Sequence, residues 1–350
     1  FFSFFGINKQ GISDLYAIAG SGYVFLLAAE KDATKKETYV SAAKGAATIL
    51  LGSMVTPEEE SFGLHPSQLM DGNDKTIPVG MLPTSYLIKN DPEDKLACTD
   101  GGTIKVQENQ KTQMAMAVLF LTKLHAVTND EQYQRAADYI LEGILSLQEC
   151  DGSFKNYTRW EGPGTLSKKC VPEEGDAYSP YPANVTVSDS KGAHTDNAIL
   201  LYLLRQARPD IYTQNTAYRE SVNYFLELEE KDIGSGYKKN GDPIKYASYS
   251  LNPENRVFPR ILFADIFLRA SCAESDSALQ TRLENKAYDL IAKVKLEAGS
   301  EFDSKILNAF SPEVGLHELG LSAVADAWKV LTKGCTECTD GDGDGHVDGV

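Results

Sequence analysis

The chain has 350 residues, with 34 Lys+Arg against 50 Asp+Glu, so its formal net charge is −16. At 42% hydrophobic and 24% charged it is too apolar for a disordered chain, and it is long enough for one large domain or two ordinary ones. The acidic balance argues against nucleic acid, which wants clustered Lys and Arg, and no apolar run approaches the roughly 18 residues of a membrane span.

In chain order, Phe1-Phe2-Ser3-Phe4-Phe5 opens the sequence without an initiator Met or a basic flank. That reads as a processed start, not an intact signal peptide. The segment suits either a hydrophobic arm docking on a neighbouring subunit or a first turn packed on its own core. Apolar periodicity then predicts helices over 12–29, 36–53, 110–127, 131–148, 194–207, 215–229, 255–271, 276–296 and 312–332. Thr34-x-x-Glu37 and Thr128-x-x-Glu131 read as capping boxes, and Ser311-Pro312 as an N-cap followed by a first-turn proline. No series of alternating strands is evident. Two long non-helical segments remain, 54–109 and 149–193, and loops of that length are usually functional or disordered.

Four helical segments resemble one another. They begin at Tyr39, Tyr133, Tyr218 and Leu283, and each places small or apolar residues three to four and seven to eight positions later. A more apolar helix precedes each, within 16–29, 114–124, 198–204 and 261–268. The apolar member would be the inner helix and the amphipathic one the outer. Spacings of 94, 85 and 65 residues are too irregular for a uniform solenoid. They predict an all-α chain of helical hairpins with long decorated loops, curled into an irregular or incomplete α/α toroid over 1–333, with 334–350 as a separate calcium-binding tail. A plain helical superhelix is the alternative.

The second long loop collects Tyr157, Arg159, Trp160, Tyr178, Tyr181 and Asp189 as candidate substrate-binding residues. Aromatic rings there suit stacking on sugar faces, or ordinary loop packing. Next come His194, Thr195, Asp196 and Asn197 at the start of an inner helix, where free N–H groups favour an anion. Arg256 and Arg260 stand at the start of another. His194, Asp196, Arg256 and Arg260 are the candidate catalytic residues. The competing roles are a cap for Asp196 and ion pairs for the arginines.

One outer helix runs through Gln148 into Asp151-Gly152-Ser153-Phe154. This resembles the closing motif of α/α-toroid families that include squalene cyclases, complement-like thioester domains and toroidal pectate lyases. The Asp-x-Asp-Asp and Gly-Cys-Gly-Glu-Gln motifs of the first two do not occur. With Thr186-Val-Ser-Asp189 and the apolar helix opened by Asp196, residues 131–206 look like the toroidal pectate lyases. Gly-Gly-Trp-Pro of that family is replaced here by Asp151-Gly-Ser-Phe154. The resemblance implies a polysaccharide lyase working by β-elimination on a uronic-acid chain: Ca²⁺ or an arginine neutralises the carboxylate and an arginine base takes the C5 proton. A toroid-fold glycoside hydrolase would instead need two carboxylates, with Glu149, Asp151, Glu161, Asp189 and Asp196 available. A non-catalytic extracellular structural or adhesive subunit is the third reading, with residues 1–5 and 334–350 as connectors for self-association or a neighbouring module.

Six cysteines, at 98, 150, 170, 272, 335 and 338, allow 15 pairings. Cys150 with Cys170 brackets one loop, and Cys335 with Cys338 suits a local or cross-linking disulfide better than half a zinc site. Asn156-Tyr-Thr and Asn184-Val-Thr are glycosylation sequons. These signals point to a secreted or cell-surface protein, and the resemblance implies a polysaccharide or glycan as its partner. The tail carries Asp340, Asp342 and Asp344 with Gly345, then His346 and Asp348. Alternating carboxylates with a glycine at the sixth position form the front half of a Ca²⁺ loop, the His346 carbonyl standing seventh and Asp348 ninth. The pattern resembles dockerin and thrombospondin type-3 repeats. With Glu337 the tail supplies −5 of the −16.

Overall fold

The computed structural model describes residues 15–65, 79–88, 104–148, 152–154, 157–160, 185–187, 194–227, 238–239, 242–243 and 257–298. The chain divides into two compact units, one of residues 1–150 with 155–189 and one of 151–154 with 190–350. The expected boundary at 334 lies outside the described residues.

Unit 1 holds α1 (Leu15–Lys31), α2 (Lys36–Leu51), β1 (Pro83–Ile88), β2 (Ile104–Gln110), α3 (Lys111–Thr128), α4 (Glu131–Ser146), β3 (Tyr157–Trp160) and β4 (Val185–Val187). The inner helices α1 and α3 pack side by side, with α2 against α1 and α4 against α3. α3 is buried nearly all round, from Lys111 through Leu121, as a helix enclosed by neighbours must be. A methyl group at Gly22 would stand 2.4 Å from the Phe120 ring, so a hydrogen at that position lets α1 and α3 approach.

Unit 2 holds α5 (His194–Ala207), α6 (Ile211–Gln214), α7 (Thr216–Glu227), the short hairpin β5 (Lys238–Lys239) and β6 (Asp242–Pro243), α8 (Val257–Ala273) and α9 (Ser277–Ala298). The inner helix α5 packs on α8, and α9 and α7 pack on α8 from outside. Phe225 of α7 meets Phe263 at 4.7 Å between ring centroids, and Phe263 stacks on Phe267 at 5.9 Å. Each such ring contributes about 1.5–3 kcal/mol of burial.

The repeat seen in the sequence is the outer-helix face. Ala43, Ala137, Val222 and Ala287, four residues into each segment, are all fully buried. Every helix expected before residue 299 is present within a few residues of its predicted ends, and α6 is an addition. The helix expected at 312–332 and its Ser311-Pro312 start lie outside the described residues.

Both capping boxes require correction. Asp130, not Thr128, caps α4, its carboxylate accepting from Gln132 N–H at 3.0 Å. The Thr128 hydroxyl instead donates back to the Leu124 carbonyl inside α3. Asp32 likewise caps the 3-10 turn Ala33–Lys35 that leads into α2. A carboxylate beside a hydroxyl wins because it carries a full charge at the positive helix end.

Strands were not expected, yet the two long loops form one antiparallel sheet in the order β1-β2-β3-β4. Its strands are short and largely polar, and β3 pairs across dozens of residues with β2, so local alternation carried little signal.

Candidate functional site

The sheet in unit 1 gathers part of the expected substrate-binding loop. Tyr157, Arg159 and Trp160 lie on β3, an inner strand of the four. Arg159 stands in register with Glu108 of β2 and Thr186 of β4, and Trp160 with Val185. Tyr178, Tyr181 and Asp189 lie outside the described residues, as do the sequon residues Asn156 and Asn184.

The other expected cluster opens α5 in unit 2. His194 and Asp196 fall in its first turn, where the sequence placed them. Asn197, the next residue, is 1% exposed and has a definite task. Its side-chain oxygen accepts from Phe154 N–H at 2.9 Å, and its side-chain nitrogen donates to the Phe154 carbonyl at 2.8 Å. One amide thus satisfies both backbone groups of a buried residue, as a neighbouring strand would. Phe154 is itself 1% exposed. Gly152 has φ +94, and a methyl group there would lie 2.8 Å from the Glu220 carbonyl of α7. The Gly152-Ser153-Phe154 strap therefore runs tightly over α7 and is clamped by α5. The motif read from sequence is a fold device that fixes the first turn carrying His194 and Asp196.

Unit 1 contains a counterpart that the sequence did not announce. Gly80 has φ +86, and a methyl group on it would come within 1.6 Å of the Tyr139 carbonyl on α4. Gly143 of α4 approaches the strap from the other side, its added methyl falling 3.0 Å from Gly80 C. Hydrogen bonds between Val55 N–H and Met81 O (2.8 Å) and between Gly80 N–H and Val55 O (2.7 Å) hold this strap. The available signal was a shared pattern: glycine, one residue, then a buried large apolar residue, in Gly80-Met81-Leu82 and Gly152-Ser153-Phe154.

Of the arginines, Arg260 lies in the first turn of α8 and is 4% exposed, while Arg256 lies outside the described residues. The sequence missed a second charged group in unit 2. Asp265 of α8 is fully buried and takes Arg205 of α5 at 2.5 Å and Arg269 of its own helix at 3.7 Å. Arg205 also lies over the Tyr202 ring, 5.2 Å from its centroid. The Tyr218 hydroxyl donates to the Leu201 carbonyl at 3.0 Å. Burial pushes the Tyr218 phenol far above its ordinary range; Arg205 opposes the shift and Asp265 adds to it. Charges inside an apolar inner helix were the signal for this cluster.

Peripheral acids are set by their donors. The Arg135 guanidinium, bonded to Glu60 at 3.0 Å, is the main cause holding Glu60 below the usual carboxylate range; burial opposes it and the Tyr139 hydroxyl assists. Glu274, between α8 and α9, is held low chiefly by the Asp276 N–H, against the effect of burial. Tyr212 donates to it at 2.9 Å.

Among the described residues no group of three or more His, Cys, Asp or Glu is placed to hold a metal ion, and no helix is long and apolar enough to cross a membrane. The tail residues Asp340, Asp342, Asp344, His346 and Asp348 lie outside the described residues. So do Cys150, Cys170, Cys335 and Cys338. Cys272 of α8 is disulfide-bonded.

No family model matches the chain, and no curated protein does. Among solved structures it is similar to the unsaturated glucuronyl hydrolase of Bacillus sp. GL1, responsible for the degradation of glycosaminoglycan. The TM-score is 0.51 at 15% identity, and the likeness covers 96% of this chain and 77% of that one. A structure of UGL with dGlcA-Glc-Rha-Glc gives a TM-score of 0.45 at 15% identity, covering 80% of this chain. The chain spans 62% of the length of that structure. A likeness at this identity concerns the path of the backbone. Taken with the inner and outer helices of both units, it identifies the fold as an α/α toroid.

Proposed function

We propose that the chain is a carbohydrate-active protein that cleaves uronic-acid-containing polysaccharide or oligosaccharide. The observation that carries this reading is the likeness to the Bacillus glucuronyl hydrolase along 96% of the chain. The polar and aromatic β3 and the clamped first turn of α5 support it. Hydrolysis is the reaction favoured by that likeness. It needs a proton donor to the glycosidic oxygen and a group that activates water. Of the carboxylates weighed from sequence, Asp196 is the one on a described element, and His194 is two residues before it.

The second reading is β-elimination, favoured by the pectate-lyase-like pattern of residues 131–206. There Arg256 or Arg260 would take the C5 proton, with Ca²⁺ or another arginine neutralising the uronate. Incubating the protein with polygalacturonate and with glycosaminoglycan oligosaccharides, then weighing the products by mass spectrometry, separates the two. Products heavier by one water report hydrolysis, and products of unchanged summed mass report elimination. Intact substrates in both incubations would leave the structural or adhesive reading.

Secretion belongs to the same proposal and is supported by the sequons and the bonded Cys272. Calcium in the tail is supported by the Asp340, Asp342, Asp344, Gly345 pattern. A calorimetric titration with Ca²⁺ tests it: heat that disappears in Asp342→Ala is expected, and the same heat in both proteins would refute the tail as the site.

A further inference from the structure

The inner helices α5 and α8 run the same way through unit 2. Arg205, near the end of α5, reaches Asp265, and Tyr212, just beyond that end, donates to Glu274, just beyond the end of α8. Their last turns therefore stand together, away from the first turns that hold the candidate catalytic residues. Arg269 follows Arg260 by nine residues of α8, roughly 13 Å along the helix axis.

At this far end two guanidinium groups share one carboxylate. Arg205 Nη2 lies 2.5 Å from Asp265 Oδ2, and the same side chain is fixed over the Tyr202 ring, 5.2 Å from its centroid. Arg269 Nε stands 3.7 Å from Asp265 Oδ1, an electrostatic contact outside hydrogen-bond reach. Among the described residues no oxygen accepts a hydrogen bond from Arg269, and its Nε is buried. A side chain with five N–H donors is thus only 16% exposed and has no acceptor among them. Donors withdrawn from water without an acceptor cost free energy. Glu274, the next carboxylate along the chain, is already taken by the Tyr212 hydroxyl and the N–H groups of Ser275 and Asp276. Among the described residues the group of Arg205, Asp265 and Arg269 therefore carries one excess positive charge, in a chain whose net charge is −16.

We infer that Arg269, backed by Arg205, binds an oxyanion (a carboxylate, sulfate or phosphate group) that enters at the exposed edge of Arg269. The guanidinium offers such a group two parallel N–H donors. Arg205 adds attraction without leaving Asp265, and Asp265 holds both arginines in place. A purely structural ion pair needs only Arg205 to neutralise Asp265; it gives no task to a second guanidinium without an acceptor. The site stands whether or not the chain cleaves a glycan, because it lies at the other end of the inner helices.

The test is calorimetric titration of the full chain with inorganic phosphate, inorganic sulfate and glucuronate, at constant chloride and ionic strength. One saturable site with a Kd of about 1 mM or tighter is expected for at least one of them. Binding of phosphate or sulfate alone assigns the site to a free anion, and binding of glucuronate alone assigns it to the carboxylate of a glycan. Arg269→Gln should weaken binding by about tenfold or more, and Arg269→Lys, which keeps the charge but not the fork, should recover part of the loss. Arg282→Gln, at an exposed arginine of α9 paired with Glu227, should bind as the wild type does. Asp265→Asn removes the competing carboxylate and should tighten binding, which a merely structural role for Arg269 would not produce. Circular dichroism checks that each variant folds, and the Arg269 variants carry the test if Asp265→Asn does not. No saturable heat with any of the three anions, or equal affinity in the wild type and in folded Arg269→Gln, overturns the site. Either result leaves the carbohydrate reading standing, since that reading falls only on intact glycan substrates.

Discussion

In unit 1, α1 and α3 meet through Gly22 and Phe120 and the apolar residues around them, whereas in unit 2, α5 and α8 enclose Arg205, Asp265 and Arg269. The same arrangement of inner and outer helices is thus closed by two kinds of chemistry. Close apolar packing tolerates no added volume, and a buried charge group tolerates no lost partner. The straps differ less. Each unit lays a glycine of positive φ over an outer helix, Gly80 on α4 and Gly152 on α7. The strap is the common device and the inner-helix contact the variable one.

This contrast can be broken at single positions. The largest effect is expected for Asp265→Ala, which removes the buried carboxylate facing the buried Arg205 and the part-buried Arg269 and should cost about 3–5 kcal/mol in urea unfolding. Replacing Arg205, Asp265 and Arg269 together with apolar residues of similar volume should restore most of it; no restoration would mean that the charges do more than fill space.

Gly80→Ala should cost about 3 kcal/mol or more, because the methyl group meets main chain as well as a disfavoured φ. Amide exchange in α4 should rise before that in α8, which compares the units within one molecule. Equal protection everywhere would contradict the strap. Asn197→Ala is expected to cost about 1–3 kcal/mol by leaving the Phe154 N–H and carbonyl without their partner. If the candidate catalytic turn depends on this clamp, activity should fall more than stability does.

The smallest effect is on acid sensitivity. Glu60 and Glu274 have folded-state pKa values below the ordinary value of about 4.3. Their contribution is therefore fully present above that value and lost as pH falls through the lowered folded-state values. Glu274→Gln should flatten the decline of the unit 2 transition between about pH 5 and pH 3 relative to wild type. An unchanged slope would remove Glu274 from the explanation.

The hairpins were legible because inner and outer helices differ in how much of their surface is apolar, and that difference is written locally. α8 shows it most plainly, with seven of the nine residues 260–268 apolar or aromatic, the exceptions being Arg260 and Asp265. The partner of Asp265 was not legible, since Arg205 stands 60 residues away on α5. Caps failed for a related reason: Thr128 and Asp130 both satisfy a start signal, and the backbone turn at Asn129, with φ 54, joins the charge of Asp130 in favouring the later residue. For the site, His194 and Asp196 were placed correctly at a helix start, whereas the alignment of Arg159 with Glu108 needed the sheet register. The task of Asn197 was hidden too, because an amide that bonds to backbone leaves no sequence pattern.

The central claim is that this toroid cleaves a uronic-acid glycan, and the most direct measurement follows the ultraviolet absorbance of the 4,5-unsaturated uronyl group. Purified protein is mixed with unsaturated oligouronides and, separately, with saturated polygalacturonate and Ca²⁺. A steady fall with the first substrate is predicted, because the unsaturated sugar freed by hydrolysis opens to its keto acid and loses the conjugated double bond; a rise with the second would move the account to elimination. Flat traces with both, across neutral and alkaline pH and at high protein concentration, would contradict the account.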